Sequence, residues 1–322
     1  MTEGNTDFRA LEERQNLAFA RGDFVALEAA AREIAAAFPD QSDDAAMTVA
    51  IARVQRGDHA GAVRELEESL DRGLWWPPQW FEMYGNFLGP LQGLPEFDRV
   101  RKRAGELQAR AEGETRRPSH LLVMPSIPKS PPDRPPPWLI VLHGRGQNAR
   151  AAEPIWGRAA EEGFRVALVQ SSQPWSSQRY RWDDVPRALD DLRSVTLDLP
   201  RESPNVPLVL AGYSQGAALA VHATLQQTLP AIGFLAVAPT RAVALEGGET
   251  LVDLAARPLS PDLKGVLVTG TADPSRGATE TLQDKLVDGG VDCRLDLVPG
   301  LGHDYPPDFA ARLPTLLRQL LK

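Results

Sequence analysis

Gly212-Tyr213-Ser214-Gln215-Gly216 sets a serine between two glycines at the end of the apolar run 208–211 and at the start of a helical pattern that opens with Gln215. The predicted context is strand, sharp turn, helix. Glycines on either side leave room for a turn that holds a non-glycine residue at strained angles with its hydroxyl exposed, which presents a serine for attack on an acyl carbon. Such a serine needs a base to take its proton, and the base needs an acid to orient it. The chain has five histidines: His59, His120, His143, His222 and His303. His303 lies in Pro299-Gly300-Leu301-Gly302-His303-Asp304-Tyr305, a glycine-loosened loop after the last predicted strand and before the last predicted helix. His222 sits eight residues down the helix that follows Ser214 and projects away from it, and His59 belongs to a separate helical region. His303 is therefore the expected base, with capping of the final helix near Asp308 as its bland alternative. The acid belongs in the loop after the preceding strand, which reads Gly270-Thr271-Ala272-Asp273-Pro274. Asp273 fills that place. An Asx-turn before Pro274 is the competing role, and Asp304 is the rival acid, too close to His303 in sequence to orient its ring easily.

Acyl transfer also needs donors for the charge that develops on the carbonyl oxygen. The residue after the nucleophile, Gln215, supplies one backbone N–H. His143-Gly144-Arg145-Gly146-Gln147 follows the apolar run 138–142 and is expected to supply the second from Arg145. His143 is then a residue that holds this loop and not a base. A dinucleotide-binding reading of Gly144-x-Gly146 fails, because the third glycine is missing and residue 149 is Ala.

These loops need strands to carry them. Short apolar runs at 121–124, 138–142, 165–169, 208–211, 234–238, 266–269 and 294–298 alternate with helical patterns at 151–162, 185–199, 215–229, 279–288 and 308–321. Such alternation predicts right-handed crossovers and a mostly parallel sheet covered by helices on both faces, with the chemistry at the carboxyl ends of the strands. The first part of the chain has a different rhythm, rich in Ala, Glu, Leu and Arg at helical spacing. Arg21-Gly22-Asp23 recurs 35 residues later as Arg56-Gly57-Asp58, leading into Leu66 and Leu70. This resembles the turn and second helix of a tetratricopeptide (TPR) repeat, with a generic array of helical hairpins as the alternative. Prolines at 118, 125, 128, 131, 132, 135, 136 and 137 mark extended chain between the two parts. The division expected is a helical domain over 1–113, a Pro-rich linker with a first strand over 114–137, and the remaining α/β domain over 138–322. The helical layer is expected either to lie beside the catalytic mouth and limit substrate size or to pack on the far face and serve stability or protein contact.

Residues from about 117 to 322 resemble an α/β-hydrolase of the phospholipase/carboxylesterase (acyl-protein-thioesterase-like) group. The resemblance is carried by Leu142-His143-Gly144-Arg145-Gly146, Gly212-Tyr213-Ser214-Gln215-Gly216, Gly270-Thr271-Ala272-Asp273 and Gly302-His303. It implies Ser214 as nucleophile, Asp273 as acid, His303 as base, and Arg145 with Gln215 as oxyanion donors, with no metal or cofactor. Two features depart from the group. The helical N-terminal region is not part of it, and the loop 171–184 carries Trp175, Tyr180, Arg181 and Trp182 where the group has a shorter Trp-Asp segment. Trp175, Tyr180 and Trp182 are the expected substrate-binding residues. Trp75, Trp76, Trp80, Phe81 and Tyr84 line an acyl pocket or, more simply, fill a core. The activity implied is a serine esterase on small-molecule carboxylic esters. The alternatives are a thioesterase or serine aminopeptidase on the same residues, or an inactive hydrolase used as a scaffold.

Composition narrows the classes. With 35 Lys+Arg against 43 Asp+Glu the net charge is −8, which disfavours nucleic acid as a partner. One cysteine, Cys293, excludes an internal disulfide and reads as a small buried apolar residue. No apolar stretch approaches the roughly 20 residues of a membrane span. The acidic start lacks an apolar signal segment, so the expected location is cytoplasmic.

Overall fold

The structure, a computed structural model, describes residues 8–114, 116–124, 135–200, 206–240 and 249–321. Pro125, Pro128, Pro131 and Pro132 of the proline-rich stretch and the Gly247-Gly248 pair lie outside the described residues. The chain divides into two compact units. One comprises residues 1–115 with 174–179; the other comprises 116–173 with 180–322.

The first unit is helical: α1 Phe8–Ala20, α2 Phe24–Ala37, α3 Ser42–Gln55, α4 His59–Asp71, α5 Pro78–Met83, α6 Gly85–Leu88 and α7 Pro95–Gly113. The two repeated tripeptides are the breaks between helices. Gly22 and Gly57 stand at φ 68° and 80°, a left-handed conformation that glycine adopts without Cβ strain. Asp23 and Asp58 then cap the helices that follow by accepting from the N–H groups of Ala26 and Gly61 at 3.0 and 2.9 Å. Sequential helices pack on one another, α1 on α2, α2 on α3 and α3 on α4. Trp75, Trp76, Trp80 and Phe81 are buried with Met47, Leu66, Leu91 and Phe97 in one cluster, so the aromatic stretch is the core of this unit. The segment 174–179, expected in the α/β domain, belongs here. Trp175 packs against the same cluster. Fully buried Asp43 accepts from Ser176 Oγ and, at 3.4 Å, from Arg179 Nε, while its own N–H donates to Gln178 Oε1 at 3.1 Å.

The second unit is built on a seven-stranded sheet. Its strands are β1 Ser119–Val123, β2 Trp138–Leu142, β3 Arg165–Gln170, β6 Leu208–Tyr213, β7 Gly233–Val237, β8 Lys264–Gly270 and β9 Asp292–Val298; β4 Gln173–Pro174 and β5 Tyr180–Arg181 form a separate two-stranded ribbon. The order is β1-β3-β2-β6-β7-β8-β9. β1 runs antiparallel to β3 and every other pair is parallel. The helices are α8 Ala149–Trp156, α9 Val185–Asp198, α10 Gln215–Leu225, α11 Leu251–Ala255, α12 Arg276–Asp288 and α13 Phe309–Leu321.

A strand buried on both faces shows no polar alternation, and β2 is apolar and buried throughout. Its side chains still divide by the two-residue period. Leu139 and Val141 join Trp156, Phe309, Leu313 and Leu317, so α8 and α13 cover that face. Ile140 and Leu142 join Leu192, Leu219, Leu282 and Leu286, so α9, α10 and α12 cover the other. Burying each such side chain is worth about 1.5–3 kcal/mol. This two-faced core fixes the frame from which the strand-end loops project.

Candidate active site

Four parallel strands, β2, β6, β8 and β9, end on the same edge of the sheet, and their loops bear the candidate residues. After β6 the chain turns sharply through Ser214, whose φ of 53° and ψ of −116° are rare for a non-glycine residue. The flanking glycines are required by closeness. A Cβ on Gly212 would stand 2.6 Å from the Gly216 carbonyl carbon, and one on Gly216 would run into the carbonyl oxygens of Leu142 and His143. The Ser214 N–H donates to Val237 O at 2.9 Å, which pins the turn to the end of β7.

His303 and Asp273 meet this serine. His303 Nε2 lies 2.8 Å from Ser214 Oγ, and His303 Nδ1 lies 2.9 Å from Asp273 Oδ2. The Asp273 side chain is fully buried, and its second oxygen accepts from the Ser275 N–H at 2.7 Å. Asp304, the rival acid, accepts from the Tyr305 N–H at Oδ1 at 2.7 Å, while the carboxylate beside His303 Nδ1 is that of Asp273. His222 is buried in α10, where its Nδ1 has no hydrogen-bond partner and burial pushes its pKa down. His59 opens α4 of the first unit and His120 lies in β1.

A residue the sequence reading passed over holds the His303 loop. Tyr213, the variable position before the serine, donates its hydroxyl to the His303 carbonyl at 2.8 Å. Its ring stacks on Tyr305 at 4.4 Å, and Tyr305 Oη accepts from Trp156 Nε1 at 2.9 Å. Burial raises the pKa of both tyrosines, so both stay protonated. Only the position of Tyr213 inside the pentapeptide could have signalled this.

The loop after β2 is a tight turn. Its Gly144 N–H donates to Gln147 Oε1 at 3.0 Å, its Gln147 N–H to Gly144 O at 3.1 Å, and its Gly146 N–H to Tyr180 O at 2.8 Å. His143 is buried behind it, with Nδ1 2.8 Å from Gly144 O and Nε2 3.4 Å from the Ser171 N–H. That bond to a carbonyl assigns the proton to Nδ1. Desolvation outweighs the Gly144 bond and pushes the His143 pKa down from 6.5 to about 4.

Gln215 begins α10, where first-turn N–H groups have no partner within the helix. Its side chain is held at both ends: Oε1 accepts from the Trp182 N–H at 2.9 Å and Nε2 donates to Asp183 Oδ1 at 2.7 Å. Asp183 Oδ2 accepts from Arg145 Nη2 at 3.0 Å and from Arg181 Nη1 at 3.4 Å.

The three expected substrate-binding residues part company. Trp175 belongs to the first unit, where it packs on the core. Trp182 has no exposed surface, and its indole N–H donates to His143 O at 2.8 Å, so it supports the loop from behind. Tyr180 is half-buried and pairs through its backbone with Gln147. Aromatic character in a long loop marks burial as readily as a pocket, and sequence alone does not separate the two. Among the described residues no group of three or more His, Cys, Asp or Glu is arranged to hold a metal ion, and no helix is long and apolar enough to cross a membrane.

The comparisons with known proteins agree with this architecture. Among solved structures, an uncharacterized protein from Bacillus cereus ATCC 10987 is 21% identical with a TM-score of 0.52, covering 97% of this chain and 99% of that one. Esterase PE8 is 20% identical with a TM-score of 0.51, covering 63% of this chain and 99% of its own. At these identities the likeness is one of fold. No curated protein matches the chain. The serine aminopeptidase (S33) family model, Hydrolase_4, matches residues 133–304, just over half of the 322 residues. The chain is an α/β-hydrolase with an N-terminal helical region, and it belongs to the Hydrolase_4 family of serine aminopeptidases.

Proposed function

We propose that this protein is a serine hydrolase that cleaves small carboxylic esters through an acyl-enzyme on Ser214. The observation that carries this reading is the His303 ring, which stands within hydrogen-bond distance of Ser214 Oγ on one side and Asp273 on the other. His303 Nε2 takes the hydroxyl proton as Ser214 Oγ bonds to the carbonyl carbon. Asp273 accepts from Nδ1, fixing the tautomer and stabilising the imidazolium. The carbonyl electron pair moves to oxygen, where the backbone N–H groups of Arg145 and Gln215 receive it. As the tetrahedral intermediate collapses, His303 returns the proton to the departing alcohol. Water then repeats the sequence on the acyl-enzyme and frees Ser214.

The family match favours a second reading, an aminopeptidase on the same three residues with an amine as leaving group. A thioesterase differs only in the leaving thiol. A panel of p-nitrophenyl esters, acyl thioesters and aminoacyl p-nitroanilides, compared by kcat/KM, separates the three. Ester turnover at least about tenfold above the others, abolished by Ser214→Ala, is the expected result. Preference for the anilides would assign the aminopeptidase reading, and turnover by none of the three, with Ser214 unreactive toward a fluorophosphonate, would assign the scaffold.

A further inference from the structure

We infer that Asp183 holds the two halves of the oxyanion site in register, a positioning role that rests on the function proposed above. The two amides assigned to the oxyanion come from separate parts of the chain, Arg145 in the loop after β2 and Gln215 in the first turn of α10. The paired strands β2 and β6 bring the two loops side by side, and a side-chain tie adds to that backbone frame. Their side chains converge on one carboxylate. Asp183 Oδ1 takes the Gln215 amide at 2.7 Å and Oδ2 takes the Arg145 guanidinium at 3.0 Å, with Arg181 adding a third, longer bond at 3.4 Å. Trp182, its neighbour, reinforces both attachments through its N–H to Gln215 Oε1 and its indole to His143 O. One short segment therefore grips α10 and the β2 loop together.

The pairing is not an ordinary surface ion pair. Arg145 and Asp183 are 47% and 37% exposed, and a lone pair at that exposure would contribute little. What sets Asp183 apart is that its two oxygens go to two different elements, each through a charge-assisted or short bond. Charge and position also make opposite predictions. A carboxylate near a developing oxyanion opposes it, so neutralising Asp183 would speed acylation if charge alone mattered. If Asp183 acts by holding the two donors at one spacing, neutralising it slows acylation, because displaced donors no longer meet the oxyanion.

The test uses the full chain and p-nitrophenyl butyrate, with kcat, KM and the Ki of a trifluoromethyl ketone, whose serine adduct carries an oxyanion. For Asp183→Asn the expected result is a fall in kcat of about 10- to 100-fold, KM within about threefold, and a Ki that weakens in step with kcat/KM. Asp183→Glu, which keeps the carboxylate, recovers part of the loss. Gln215→Met keeps the backbone donor but removes the side-chain attachment. It should lose activity in the same direction, and the double variant should be no worse than the worse single one. An unchanged or faster Asp183→Asn enzyme overturns the inference, as does a loss confined to KM with the ketone affinity intact. The wild type keeps the two levels apart. If it turns over and Asp183→Asn matches it, only this inference fails; if the wild type neither turns over nor reacts with a fluorophosphonate, the proposed function fails and takes this role with it.

Discussion

Acidification from pH 7 to 5 weakens the second unit through His143, and the size of the effect follows from its surroundings. The ring is 1% exposed, donates from Nδ1 to Gly144 O, and faces the Ser171 N–H and the Gln170 amide with Nε2. Burial desolvates the ring, which outweighs the Gly144 bond and pushes the folded pKa from 6.5 to about 4. The folded state thus resists a proton that the unfolded chain takes up near 6.5. Between those two values the unfolded state binds more protons, so stability rises with pH. It is fully present above 6.5 and is lost as pH falls toward 4. At about 1.4 kcal/mol per pH unit the loss is about 2 kcal/mol by pH 5 and about 3 kcal/mol at its limit. Because two units need not unfold together, the measurement is hydrogen exchange of the β2 and β6 amides at pH 7 and 5, corrected for intrinsic rates, in the wild type and in His143→Asn. The wild type should lose about 2 kcal/mol more protection than the variant. An equal loss in both, or an NMR titration that puts the His143 ring near its ordinary value, would refute the reasoning.

Asp273→Asn should lower kcat by about 10³- to 10⁴-fold with little change in KM, because Asn can hold His303 in the wrong tautomer; steady-state kinetics show it, and a near-neutral result would return Asp304 to consideration. Tyr213→Phe leaves the His303 carbonyl without its donor and should cost about fivefold in kcat, the factor for roughly 1 kcal/mol, while wild-type rates would limit Tyr213 to packing. Asp43→Ala takes the buried carboxylate from Arg179 and Ser176 and should destabilise the helical unit by about 3 kcal/mol, read as reduced exchange protection in α3 and α4. An unchanged α3 and α4 would mean that Asp44, 3.5 Å from Arg179, suffices alone.

Much of the frame was legible because it is periodic. Strand and helix patterns located β2, β6, β8, β9, α9, α10 and α13 to within a few residues, and the glycine-flanked serine carried its own signature. Order along the chain then brought His303 and Asp273 into consideration. Contacts between distant residues were not legible. Nothing near Asp183 says that it meets Gln215 32 positions later, or that Tyr213 reaches a carbonyl 90 positions on. The loop 171–184 shows the same limit. Its aromatic residues announced burial without an address, and the structure sends Trp175 to the helical core and Trp182 beneath the β2 loop. The five-residue α11 escaped notice because a turn and a half is too short for a hydrophobic period to register.

The central claim is that Ser214 is a nucleophile activated by His303. Its most direct test is reaction of the full chain with a fluorophosphonate, followed by peptide mass spectrometry to locate the adduct. The account predicts stoichiometric modification at Ser214, lost in Ser214→Ala and slowed by a factor on the order of 10³ in His303→Ala. A folded protein that stays unmodified at Ser214, or that labels equally well without His303, would contradict it.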